Sequence, residues 1–330
     1  VYRNRRDRLA HDHPGCAFML ASAPETTRNS DVTHPYRQES HFYYLSAFDE
    51  PSSCLLILPA RDPGAGHRFV LFLQERNQER EIWTGERYGL ERARTVFGAD
   101  EAYPFSALQE KLPGLLADVE RVYYQFGLHA GIDQVFHRML EQQKAMNGRT
   151  GRGILPIFDY GPIIGEMRLR KDEHDLASLR KACKITAEAH LALMREVKPG
   201  MPELEAQALI EYEFARGGCE RLGYPSIVAG GKNATCLHYT RNNEILAEGD
   251  LLLVDAGGEH GYFTSDITRT YPVGKKFSAE QAAIYDLVFE AHREALKICA
   301  PGATIAGIHD KTVEVIVDGL LSLGLLRGKR

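Results

Sequence analysis

The chain has 330 residues, 44% hydrophobic and 26% charged, the balance of a globular protein of about two domains rather than a fibrous or disordered one. Its formal net charge is −5 and its pI about 6.3, which leaves no basic surface for nucleic acid or an anionic membrane and points to small soluble substrates or ordinary protein partners. No apolar run reaches the roughly 18–20 residues that span a bilayer, and six cysteines without a CxxC pair are expected to be reduced, mostly buried thiols of a cytoplasmic protein.

The start, VYRNRRDRLAHDH, is basic, and the CAFMLASA that follows is too short and too polar-flanked for a signal peptide. The first residue is Val rather than Met, so translation is not expected to begin there. CLLILPA (54–60) and RFVLFLQ (68–74) are predicted strands separated by the turn-rich RDPGAGH, and RVYYQFG (121–127) is a third. The aromatic run Phe42, Tyr43, Tyr44 and the lone tryptophan, Trp83, are expected in the core. AMNGRTGRGILP (145–156), polar and rich in glycine, reads as a boundary loop, so the expected domains are 1–160 and 161–330.

Long amphipathic helices follow. KDEHDLASLRKACKITAEAHLALMREV carries Leu176, Leu179, Cys183, Leu191 and Met194 at helical spacing, with Asp172 as a candidate N-cap and Pro199-Gly200 as the stop. A second helix is predicted over about Glu203 to Arg216, ended by Gly217-Gly218. The strand-like YPSIVAG and a loop through GKNATCLHYTRNN lead into LLLVDAGGEHGYFTSDITRTYPVG (251–274). SAEQAAIYDLVFEAHREALKI then opens with a capping box, Ser278 to Gln281, and stops at Pro301-Gly302. This unit, helix, Pro-Gly, helix, echoes the one before it. The first copy runs on into sheet, whereas the second reaches LLSLGLLRGKR with no sheet after it, so the second half of a duplicated fold is expected to be incomplete here.

The segment 251–274 places Asp255 and Asp266 on what read as two antiparallel strands joined by a glycine-rich turn. Facing side chains on such strands lie about 5 Å apart. Two buried carboxylates sharing that space need a positive partner, or one of them stays protonated. Arg269 is three positions from Asp266, so alternation turns it to the other face. Divalent metal is the remaining partner, since carboxylate oxygens suit Mn²⁺, Mg²⁺ or Zn²⁺. The alternative is one acid exposed at a strand end and the other paired.

VDAGGEHGYFTSDITRTYPVGKKFS resembles the metal-binding hairpin of the aminopeptidase P (Xaa-Pro aminopeptidase) family. YRQESHFYYLSAFDEPSSCLLIL, GEMRLRKDEHDLASLRKACKITAEAH and YPSIVAGGKNATCLHYTRNN resemble, in order, its N-terminal signature, its catalytic entry helix and the loop of its active-site histidine. The resemblance implies an α/β (α+β) protein: a mixed N-terminal domain followed by a pita-bread catalytic domain. It implies a metal-dependent aminopeptidase acting on peptides with proline in second position, with two divalent ions, Mn²⁺, and a bridging hydroxide as nucleophile. On the matching positions Asp255 and Asp266 are metal ligands, and His238 steers or protonates the substrate. A homo-oligomer, dimer or tetramer, is implied as well. The family's other ligands, one His and two Glu, would fall beyond Arg330. His309 and Glu314 sit on a predicted helix and are expected to face solvent. The competing readings are an Xaa-Pro dipeptidase (prolidase) on the same scaffold and a metal-free, non-enzymatic relative.

Among the remaining residues, His11, His13 and His260 are read as surface. The charged runs QERNQERE and RLRKDEHD are read as solvated faces. The segment around Trp83, EIWTGERYGL, also resembles a family segment that projects toward a neighbouring subunit's active site.

Overall fold

The structure, a computed structural model, describes residues 1–61, 66–151, 153–274 and 276–328. It divides into two compact units, Val1–His174 and Asp175–Arg330.

In the first unit the continuous apolar runs become the middle of a sheet, as strands covered on both faces must. β4 (Cys54–Pro59) and β5 (His67–Leu73) are expected strands, and β1 (Cys16–Ala21), from the CAFMLASA run that carried no strand expectation, pairs with β4. β6 (Glu101–Pro104), β7 (Arg121–Tyr123) and β8 (Ile157–Phe158) complete a six-stranded mixed sheet in the order β6-β5-β4-β1-β7-β8. Alternation splits each central strand between two cores: Phe18, Leu55, Ile57 and Phe69 face one, Met19, Leu56, Val70 and Phe72 the other. β2 (Thr27–Asn29) and β3 (Val32–Thr33) form a separate exposed hairpin.

The first core is closed by α1 (Tyr2–Asp12), α2 (Ser40–Ser46) and α4 (Gly89–Thr95), the second by α5 (Leu108–Leu115) and α6 (Ala130–Thr150). The basic start is therefore part of the fold. Arg5 and Arg6 are buried, donate to the carbonyls of Tyr44 and Leu45, and lie over the rings of Tyr44 and Phe69. Phe42 and Tyr44 are buried, as expected. Trp83 is not: it is 88% exposed on α3 (Gln78–Thr84), a helix with no buried residue. The boundary loop is corrected as well. α6 runs through Gly148 to Thr150, because Ile132, Phe136 and Met139 commit the helix to the core and outweigh one glycine. Arg152, in that stretch, and residues 62–65 of the predicted RDPGAGH turn lie outside the described residues. α7 (Gly161–Leu169) belongs to the first unit, with Ile164 in its core.

The second unit begins within α8 (Glu173–Glu196), followed by α9 (Glu203–Gly217), which stops at Gly218 in the left-handed region. β9 (Arg221–Leu222), β10 (Ile227–Gly230), β11 (Leu251–Ala256), β12 (Gly258–His260), β13 (Phe263–Thr264) and β14 (Ile267–Pro272) make two three-stranded sheets, β10-β11-β14 and β13-β12-β9. Ile185, Leu193, Ile210 and Phe214 of the helices pack on Val228, Leu252, Val254 and Tyr271. α10 (Ala279–Lys297), with the capping box at Ser278 and Gln281 as predicted, pairs with α11 (Ile305–Ser322).

The face of α8 differs from the predicted one. Leu191 and Met194 are each 51% exposed and Cys183 is exposed; the buried stripe is Ala182, Ile185, Thr186, Ala189, His190 and Leu193. Apolar spacing misleads here because two polar residues are buried against the sheet. Asp175 is likewise buried, against its reading as part of a solvated run. Three of the six free cysteines, Cys183, Cys236 and Cys299, are exposed, which corrects the expectation of mostly buried thiols.

Candidate metal centre

β11 lies between β10 and β14, with Ile227 and Thr268 opposite Asp255. Asp255 is half-buried near the end of the strand, and Asp266 is exposed, one residue before β14 begins. The two acids are therefore not facing partners in one hairpin. Between them the chain leaves the first sheet, forms β12 and β13 in the second, and turns at Gly261-Tyr262, both at positive φ. Gly257 makes this crossover possible. A Cβ there would stand 1.8 Å from the Ser265 carbonyl oxygen, so no larger residue fits where the two strands separate.

The carboxylates nonetheless converge. The hydroxyl of Tyr224, between β9 and β10, lies 2.5 Å from Asp255 Oδ1 and 3.1 Å from Asp266 Oδ1. Burial raises the Tyr224 pKa well above the ordinary phenol value, and the bond to Asp255 and the charge of Asp266 raise it further, so the phenol remains a donor. Arg269 does not serve the acids. It stands opposite Val254 in the register, and its Nη1 donates to the Thr268 carbonyl at 2.7 Å. Among the described residues no ion pair joins Asp255 or Asp266 to a lysine or arginine. Two oxygen donors that converge without a cationic side chain between them fit a divalent ion.

Two side chains one turn apart on α8 hold the residues flanking Asp266. Thr186 Oγ1 is 2.6 Å from Ser265 Oγ and accepts from the Gly258 N–H at 3.2 Å. His190 Nε2 is 3.0 Å from the Ile267 carbonyl, which can only accept, so Nε2 carries the proton and Nδ1 accepts from the Tyr271 hydroxyl. Burial pushes the His190 pKa down to about 4, with the charge of Arg269 acting in the same direction, and the ring is neutral. Both lie in the stretch that resembles the family's entry helix, but neither is singled out by that resemblance. A polar residue on an otherwise apolar buried stripe was the available signal.

His238 lies in an exposed turn after a 3₁₀ segment, Gly231–Thr235. That loop leaves β10 at Gly230, which faces Leu252, the end of the strand away from Asp255. His260 is at the hairpin tip, its Nδ1 3.0 Å from the Gly218 carbonyl. His11 and His309 are exposed, while His13 is half-buried between Phe18 and Tyr123.

Residues 177–328 match metallopeptidase family M24, and residues 2–123 match the aminopeptidase P N-terminal domain. The chain is similar to Xaa-Pro aminopeptidase of Escherichia coli, 37% identical over 99% of this chain and 74% of the relative. It resembles the solved structure of Pseudomonas aeruginosa aminopeptidase PepP with a TM-score of 0.95 and 39% identity, over 99% of this chain and 74% of that one. Zn-substituted E. coli aminopeptidase P in complex with product matches with a TM-score of 0.94 and 37% identity, over the same shares of each chain.

Proposed function

The chain belongs to the aminopeptidase P family of M24 metallopeptidases, and from that premise we propose that Asp255 and Asp266 hold its metal and that His238 serves the peptide. The enzyme is a metal-dependent aminopeptidase that removes the residue preceding an N-terminal-side proline, built from an aminopeptidase P N-terminal domain and a pita-bread catalytic domain. The observation that carries the site assignment is the convergence of the two carboxylates on the Tyr224 hydroxyl.

A peptide bond to proline has no N–H, so a docking mode that relies on strand-like pairing loses a donor there. The reaction has to be driven at the carbonyl. Divalent metal, when bound, supplies an activated water and polarises that carbonyl. In our reading Asp255 and Asp266 would hold divalent metal, Mn²⁺ by preference for oxygen donors. Tyr224 orients Asp255. His238 donates a hydrogen bond to the charge that develops on the scissile carbonyl oxygen, or guides the peptide toward it.

A cytoplasmic setting and a homo-oligomer, dimer or tetramer, complete the proposal. Six free cysteines suit a reducing compartment, and the exposed Ile82 and Trp83 of α3 offer an apolar contact to a second subunit. No helix among the described residues is long and apolar enough to cross a membrane. No observation favours the dipeptidase or the metal-free reading.

The test is cleavage of an Xaa-Pro-Xaa tripeptide against the matching Xaa-Pro dipeptide by the metal-loaded enzyme. Faster turnover of the tripeptide is expected, and a preference for the dipeptide would replace this function with the prolidase one.

A further inference from the structure

The loop that carries His238 is tied down by a carboxylate that the mechanism above does not use. Glu203, the first residue of α9, is fully buried. Its Oε1 accepts from the Gly230 N–H at 2.7 Å and from Asn233 Nδ2 at 3.1 Å; its Oε2 accepts from the Tyr239 hydroxyl at 2.7 Å and from the Glu244 N–H at 3.0 Å. Burial works to raise its pKa, but the donors, led by the Glu244 and Gly230 N–H groups, outweigh it and hold the carboxyl below the usual range. All four acceptor sites of one carboxylate are in use.

The four donors are not scattered. Gly230 is where β10 ends, Asn233 is in the 3₁₀ segment, Tyr239 directly follows His238, and Glu244 is where the loop returns. Fastening the loop's return to the strand is already the work of Asn242. Its Oδ1 accepts from the Val228 N–H at 3.1 Å, and its Nδ2 donates to the carbonyls of Ser226 at 2.9 Å and of the Gln207 side chain at 2.8 Å. What Glu203 adds is a hold on the loop's interior, through Asn233 on one side of the exposed turn and Tyr239 on the other. An exposed turn of this kind would otherwise sample many positions, and general-acid or hydrogen-bonding groups lose their effect when displaced by about 1 Å.

We propose that Glu203 is the positioning residue for His238, acting through the Tyr239 hydroxyl to keep the imidazole in one place over the bound peptide. The inference rests on the reading of His238 as the residue that meets substrate.

The experiment compares the metal-loaded enzyme with Tyr239→Phe, Glu203→Gln, His238→Ala and the two double variants containing His238→Ala. It follows kcat and KM on an Xaa-Pro-Xaa tripeptide, bound metal, and Tm. Tyr239→Phe removes the tether beside His238, together with the longer contacts of that hydroxyl to Asn243 at 3.2 and 3.5 Å, and is expected to lower kcat about tenfold, with KM changed less than about twofold and metal content unchanged. Glu203→Gln should lower kcat at least as much. In the His238→Ala background both effects should shrink below about twofold, because nothing remains to be positioned. Equal losses in the two backgrounds, or an undiminished kcat in Tyr239→Phe, would overturn the role of Glu203 alone. If His238→Ala itself leaves kcat unchanged, the assignment of His238 falls, and this inference falls with it. Should Glu203→Gln fail to fold, the Tyr239→Phe pair still decides the matter.

Discussion

Thr186 on α8 and Ser265, the residue before Asp266, bring their hydroxyl oxygens within 2.6 Å of each other inside the second unit. A helix side chain thereby sets the position of the backbone that presents Asp266, the proposed metal ligand. Thr186→Val keeps the shape but leaves the Gly258 N–H and the Ser265 hydroxyl without their shared partner. We expect a loss of about 2 kcal/mol of stability and about tenfold weaker metal binding. Urea denaturation and a metal titration measure the two. Parent-like metal affinity in a destabilised variant would mean that Thr186 supports the fold without governing Asp266.

His190 makes stability depend on pH. Its folded pKa, about 4, lies below the unfolded value near 6.5, so the unfolded chain takes up a proton first as pH falls. Its contribution is complete above about 6.5 and is lost between there and about 4. Arg269 also disfavours the charged ring, while Asp255 and the Ile267 carbonyl favour it. By pH 5 the parent should have lost about 2 kcal/mol that His190→Gln does not lose. Denaturation midpoints of both proteins at pH 7.5 and pH 5 give the comparison, and parallel losses would contradict it.

Asp266→Ala is expected to abolish both bound metal and peptidase activity. Metal that binds only the native state raises Tm with concentration, by about 2.7 kcal/mol of stability at a hundredfold excess over Kd. Added Mn²⁺ should therefore raise the Tm of the parent and leave that of Asp266→Ala unmoved. Full turnover in this variant would discard the metal assignment.

Trp83→Ala should leave stability within about 0.5 kcal/mol of the parent, since an exposed side chain on a helix with no buried residue contributes no core contact. Sedimentation velocity of the same variant reports whether α3 serves subunit association. A large fall in Tm without a change of mass would mean that the ring packs within its own chain.

Strands and helix stops were the most legible features of the sequence. Runs such as CLLILP and RFVLFL leave little choice once both faces must be covered, and Gly218 and Ser278 end and begin helices by local chemistry alone. Asp255 and Asp266 drew attention because charge interrupts a strand-like pattern. What the sequence hid was everything that supports them. Tyr224 reaches the acids from 31 and 42 residues away, and Thr186 and His190 from 79 and 77 residues before their partners. Contacts of that span leave no local period. Reading α8 by its leucines selected the wrong face for the same reason: Leu191 and Met194 point outward, while a threonine and a histidine are satisfied inside by groups that only tertiary structure supplies. Trp83 failed in the opposite sense, since size and apolarity predict burial only on average.

The close approach at Gly257 also sets where this protein can tolerate growth. The segment joining Asp255 to Asp266 is clamped at its base by the glycine and the Ser265 carbonyl, whereas its tip is a two-residue turn, Gly261-Tyr262, where the Gly261 N–H donates to Glu220 Oε2 at 3.1 Å. An insertion grafted at the tip would lengthen a hairpin whose foot cannot shift, leaving both acids in place. One added residue between Ala256 and Gly258 would throw the clamp out of step and separate them.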